Sequence, residues 1–192
     1  MNDETAQLKR TLRHQLRTQL RHMPEAEREA GSAAICERLK GQEIFRMAKA
    51  ILFFAPLPDE PDIFPLANEA LAAGQVVALP RYVADQQHYI ACQVHEIEHD
   101  LMPGQFGIWE PQSYCSPFPL NRLDLALVPG LGFTLSGWRL GRGRGFYDRL
   151  LAEVSVVKCG VAFDGQIVDA LPAEPHDVRL NCILTPTRWH SL

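Results

Sequence analysis

Leu8, Leu12, Leu16 and Leu20 recur every four residues near the start of the chain. That spacing lines one apolar stripe along a helix, so residues 5–23 are expected to be helical and amphipathic. Lys9, Arg13, Arg17 and Arg21 repeat the interval one position later. A cationic stripe therefore runs beside the leucines. Such a stripe is ordinarily a solvated face, although its long side chains can also reach an anionic ligand. Pro24 suits the start of a second helix reaching to about Lys40, with Gly41 as its stop.

Beyond Gly41 the pattern changes. Short apolar runs at residues 48–56, 75–80, 123–130, 156–163 and 181–187, with an alternating stretch at 88–95, predict strands. Residues 62–74 read as a helix, with Pro65 near its start and Gly74 as its cap. Residues 146–154 read as another. The strand–helix–strand spacing over 48–80 is that of a parallel crossover. Helices interleaved with short buried strands imply an α/β fold with three α/β/α layers around a mainly parallel central sheet. Residues 102–120, rich in proline and glycine, read as a long loop, a length that points to function or mobility.

Composition narrows the picture. A chain of 192 residues, 46% hydrophobic, suits a single domain spanning 1–192, with residues 1–41 packed as a helical segment on the α/β core. The net charge of −4 argues against a general nucleic-acid binder, so any anion site must be local. The five cysteines are scattered and form no C-x-x-C pair, which suits reduced thiols rather than a zinc ribbon. No apolar run approaches the roughly 18 residues of a membrane span, and the polar, basic start lacks the apolar core of a secretion signal. A cytoplasmic location with no membrane partner is expected.

The candidate chemistry lies at residues 137–151. Arg139, Arg142 and Arg144 alternate with Gly137, Gly141, Gly143 and Gly145, and Phe146, Tyr147 and Asp148 follow. A flexible RNA-binding tract is one reading and a phosphate cradle is another. The stretch joins a buried strand to a helix, the place where open α/β sheets bind ligands. Glycines let backbone N–H groups turn toward an anion. The helix start adds a favourable dipole, and arginines match phosphate oxygens. Neither a Walker A loop nor a dinucleotide fingerprint is present. Asp148 suits either a Mg²⁺ contact or charge complementing the helix dipole.

Residues 127–133 and 137–151 together resemble the signature of the 5-formyltetrahydrofolate cyclo-ligase family. Residues 8–17, 54–62, 78–82, 107–111 and 173–186 are similar to further segments of that family, in the same order. The resemblance implies a CoA-transferase-like three-layer fold. It also implies conversion of ATP and 5-formyltetrahydrofolate to 5,10-methenyltetrahydrofolate, ADP and phosphate, with Mg²⁺. These small molecules would be its partners, acting on a monomer, with no nucleic acid.

Residue by residue, the resemblance places Lys9, Arg13, Arg139, Gly141, Arg142, Gly143, Arg144, Gly145, Phe146, Tyr147 and Asp148 at the nucleotide. It gives catalytic roles to Arg142, Arg144 and Tyr147. Leu57, Glu60, Trp109, Phe146 and Tyr147 fall at the folate, and Asp148 and Asn181 at the metal. Arg17 and Arg21 keep the solvated reading. Three positions depart from the family pattern: Thr134 and Asn181 stand where aspartates are expected, and Arg144 where a lysine is common. Asp177 is a possible substitute for the missing late carboxylate. A non-catalytic folate- or nucleotide-binding relative is the alternative these departures suggest.

Overall fold

The computed structural model of the chain describes residues 3–174 and 177–192. Helices α1 (Asp3–Arg21) and α2 (Glu25–Lys40) are followed by the short α3 (Glu43–Met47) and strand β1 (Ala50–Leu52). Next come α4 (Phe64–Ala72), β2 (Val76–Val83), β3 (His88–Val94) and α5 (Ile97–Asp100). Strands β4 (Leu101–Pro103), β5 (Trp109–Pro111), β6 (Leu125–Val128), β7 (Gly132–Phe133) and β8 (Arg139–Leu140) precede α6 (Phe146–Glu153). Strands β9 (Val157–Val161), β10 (Cys182–Leu184) and β11 (Trp189–Ser191) complete the described elements.

Seven strands form one sheet in the order β11-β10-β9-β6-β1-β2-β3. The five inner strands are parallel, and β11 and β3 pair antiparallel at the two edges. Side chains alternate between the faces of a strand, and both faces here are covered. Ile51, Leu125 and Leu127 pack with Leu16, Ile35, Leu39 and Leu66 from α1, α2 and α4. Leu52, Ala126 and Val128 pack with Leu150 and Leu151 from α6. This is the expected three-layer, mainly parallel fold. The leucine stripe of α1 is buried at Leu16 and Leu20, whereas Leu8 is 49% exposed.

The structure departs from the pattern in the middle of the chain. Pairing in β1 stops at Leu52, opposite Ala78. Beyond that point β2 has no strand on its β1 side, which is why it can run through Pro80, a residue with no N–H to donate, as far as Val83. The expected long loop contains a hairpin, with Leu101 opposite Pro111. Its three-residue strands are too short for an alternating pattern to show. The short α3 and the edge strand β11 also went unsignalled by periodicity.

Two side chains fasten that hairpin. Arg81 donates to the carbonyls of Gln112 and Cys115 at 2.8 and 3.1 Å. Asp100 accepts from the N–H groups of His95 and Glu96 at 2.6 and 3.1 Å and from the Tyr114 hydroxyl at 3.0 Å. Burial pushes the Asp100 carboxyl up, but these donors outweigh it and hold the carboxyl below its usual range. A depressed folded-state pKa contributes stability above the unfolded value that is lost as pH falls through the folded one. Asp100→Asn is therefore expected to lose about 1–2 kcal/mol in urea titrations at pH 7. The gap from the parent should narrow as pH drops below about 4.

A candidate anion-binding active site

The parallel strands deliver their C-terminal ends to a cavity of about 340 Å³. Phe54, Ala55 and Leu57 enter it just after β1, Pro80 from β2, and Pro129 and Gly130 just after β6. The 139–148 segment, linking β8 to α6, forms its basic wall, and Arg17 of α1 joins it. The loop needs glycine at two positions. Gly145 caps α6 with φ +68°, and Gly143 has φ +103°, where a side chain would also sit 3.3 Å from the Arg13 guanidinium.

Arginines hold this loop from both sides. From α1, Arg13 Nε donates to the Gly141 carbonyl at 2.9 Å, and Arg17 Nη2 to the Arg142 carbonyl at 3.2 Å. On the other side Arg142 grips the turn after β1. Its Nε donates to Glu60 Oε1 at 2.9 Å and its guanidinium pairs with both Asp59 oxygens. Glu60 is buried, and its second oxygen accepts from the Leu57 N–H at 3.0 Å. Burial pushes the Glu60 carboxyl up, and Arg142 pulls the other way.

Asp148, in the first turn of α6, is ion-paired to Arg139. Arg139 also donates to the Pro129 carbonyl at 3.0 Å, while its buried Nε has no partner among the described residues. Tyr147 lies beside this pair, with its ring centroid 5.6 Å from the Arg139 guanidinium and its hydroxyl donating to the Leu127 carbonyl at 3.3 Å. Burial pushes its phenol well up, so it stays protonated at neutral pH. Arg144 stacks 3.9 Å over Phe106, the hairpin-tip residue with φ +69°. Phe106 in turn stacks on Phe146. Tyr82 and Tyr89 extend this aromatic wall.

Most of the expected residues converge on the cavity. Glu60, Leu57, Arg139, Gly141, Arg142, Gly143, Arg144, Gly145, Phe146, Tyr147 and Asp148 all line it, and Arg13 touches it through the loop. Others sit elsewhere. Lys9 is buried against Glu174 and Asp177, each 2.7 Å from its Nζ, so its charge is committed to the 174–177 segment. Burial lowers its pKa, but the two carboxylates win and hold it raised. Trp109 is 48% exposed and lines a neighbouring groove of about 660 Å³, which shares Leu57 and Glu60 with the cavity.

Asn181 does not take up the expected metal position. It precedes β10 at the N-terminal edge of the sheet, opposite the cavity, and its Oδ1 accepts from the Lys158 N–H at 2.9 Å. Thr134 closes the β7–β8 turn, accepting from the Trp138 N–H at 3.1 Å. Among the described residues no group of three His, Cys, Asp or Glu side chains could hold a metal. Sequence reasoning missed Arg17, Asp59 and, within the aromatic wall, Tyr82, Tyr89 and Phe106. Arg17 stands one helical turn beyond Arg13 on the same stripe and Asp59 precedes Glu60, so a signal existed for both.

Among the described lining residues there is no serine, threonine, cysteine or histidine. The cavity offers arginines, glycine-loop amides and a helix start rather than a nucleophile with its base. That equipment stabilises an anion and suits phosphoryl transfer, which depends on positioning and charge neutralisation. An α/β protein with a basic, glycine-lined cavity at the C-terminal ends of its parallel strands is the class so defined. The model of the 5-formyltetrahydrofolate cyclo-ligase family matches residues 5–186, and the chain belongs to that family.

A 5-formyltetrahydrofolate cyclo-ligase of Mycolicibacterium smegmatis is 36% identical over 183 residues, covering 91% of this chain and 93% of its own. One from Escherichia coli is 31% identical over 169 residues, covering 86% and 92%. The solved structure of Aquifex aeolicus 5,10-methenyltetrahydrofolate synthetase superposes with a TM-score of 0.87 at 31% identity, over 96% of this chain and 93% of that one. No helix among the described residues is long and apolar enough to cross a membrane.

The Arg139–Asp148 pair is a test of this wall, because the Arg139 side chain is only 3% exposed. Arg139→Met should destabilise the protein by about 2 kcal/mol in urea unfolding, since it leaves a carboxylate half-buried without its partner. Adding Asp148→Asn to it should recover about half of that loss.

Proposed function

We propose that the chain converts ATP and 5-formyltetrahydrofolate to 5,10-methenyltetrahydrofolate, ADP and phosphate. The observation that carries this reading is the position of the basic glycine loop. It lines the same cavity as Glu60, so groups suited to phosphate and a carboxylate suited to a heterocycle share one space. The formyl oxygen attacks the γ-phosphorus and the bond to ADP breaks. N10 then attacks the activated formyl carbon and gives up its proton to solvent, and the C–O bond breaks so that phosphate leaves as the ring closes.

The chain's own groups account for what that sequence needs. Loop amides and the α6 N-terminus receive the phosphates. Arg142 and Arg144 balance charge on the transferred group, and Tyr147 and Phe146 line the space the ring enters. Glu60 accepts the pterin amino and ring N–H groups, with Leu57 against the ring. A folate extending from the cavity into the neighbouring groove meets Trp109 there. Arg142 cannot serve phosphate while it is clamped to Asp59 and Glu60. Its transfer to the nucleotide frees Glu60 for the pterin, which links the two binding events. Lys9 likewise reaches phosphate only on leaving Glu174 and Asp177.

The donor set fits Mg²⁺ arriving with the nucleotide. Asp148 lines the cavity beside the loop amides, and Mg²⁺ typically takes one or two carboxylates with phosphate oxygens and water. Asp148 would hold it, and the ion would neutralise phosphate charge. The alternative of a non-catalytic relative rests on Thr134 and Asn181. Neither lines the cavity, so nothing in the site favours it.

Purified protein given ATP and 5-formyltetrahydrofolate should form the methenyl product, followed by its absorbance, with one phosphate released per turnover. Folded protein that makes no product with both substrates present would sink the proposal. Glu60→Gln should raise the KM for the folate about tenfold while the KM for ATP stays the same or falls, because Arg142 is then held by Asp59 alone, a split that a general loss of folding does not give.

A further inference from the structure

Arg17 has the sequence signature of a solvated residue, but the structure gives it a different place. Its guanidinium lines the cavity and donates to the Arg142 carbonyl at 3.2 Å. One turn earlier, Arg13 donates to the Gly141 carbonyl at 2.9 Å. Two successive peptides of the glycine loop therefore turn their carbonyls toward α1. A planar trans peptide carries its N–H opposite its C=O, so the amides of Arg142 and Gly143 face away from α1. Among the described residues no carbonyl or carboxylate accepts from either amide. Successive N–H groups turned to one side make an anion-binding concavity. The Gly143 φ of +103° is the backbone form this arrangement uses.

We propose that Arg17 is a positioning residue for the reaction. By holding the Arg142 carbonyl it fixes the Arg142–Gly143 peptide in the orientation that presents the Gly143 amide to the nucleotide phosphates. This inference rests on the proposed function for the identity of the anion, and goes beyond it in assigning Arg17. Arg21, the next cation on the stripe, is exposed and lies outside the cavity. It provides a control for general charge.

The test compares Arg17→Met, Arg17→Lys and Arg21→Met by calorimetric titration with a non-hydrolysable ATP analogue and, separately, with 5-formyltetrahydrofolate. Arg17→Met is expected to weaken the analogue about tenfold and leave the folate within about twofold. Arg17→Lys, which keeps a donor, should recover part of the loss, and Arg21→Met should bind as the parent does. If Arg17→Met unfolds, Arg17→Gln takes its place with the same expectation. Unchanged analogue affinity in the folded Arg17 variant, or equal losses in the Arg17 and Arg21 variants, would overturn the assignment. A parent protein that binds the analogue without turning over would fault the proposed function instead, and the Arg17 comparison would still be read.

Discussion

The glycine loop between β8 and α6 exists in its observed form because arginines hold it on both sides. Gly141 and Arg142 give their carbonyls to Arg13 and Arg17, and the Arg142 side chain crosses to Asp59 and Glu60. Without these contacts a run of glycines would be free to sample many conformations, since glycine has the most backbone entropy to lose on ordering. The cost of ordering is met by charge-assisted hydrogen bonds in a partly buried site, where they are stronger than in water. One constraint thereby ties the N-terminal helix, the end of β1 and the start of α6 to a single cavity.

For the proposed reaction the same contacts would pass between two electrostatic arrangements. In the observed one, each cavity carboxylate is answered by an arginine: Glu60 by Arg142, and Asp148 by Arg139. A phosphate entering the loop competes for Arg142, and the release of a buried carboxylate is costly unless another donor replaces the arginine. The heterocycle of the folate is such a donor. On this account, binding of one substrate prepares the place of the other. Tyr147, with its phenol pushed up by burial and its hydroxyl on the Leu127 carbonyl, is held protonated in the wall of the cavity.

Much of this was legible in the chain. The apolar runs located the five inner strands because parallel strands buried on both faces read as continuous hydrophobic stretches. The strand–loop–helix position of residues 137–151 pointed to the cavity at the C-terminal ends of the strands. What stayed hidden depended on distance in space. Asn181 resembles a metal contact by its place in a motif, yet strand β10 puts it at the wrong end of the sheet. Arg17 looked solvated because a helical stripe does not reveal which of its cations lies over a loop more than a hundred residues away. The β4–β5 hairpin was masked by proline and glycine, and with it Phe106, whose ring meets Arg144 only through that fold.

Everything proposed for the site depends on the 141–145 backbone receiving the phosphates. Titration of ¹⁵N-labelled protein with a non-hydrolysable ATP analogue in magnesium buffer tests it most directly. The Gly143 and Gly145 amide resonances should move with saturation, together with the Arg142 Nε signal as it leaves Glu60, while the Asn181 amide stays in place. Saturable shifts confined to other parts of the chain, with the Gly143 and Gly145 amides unmoved, would contradict it.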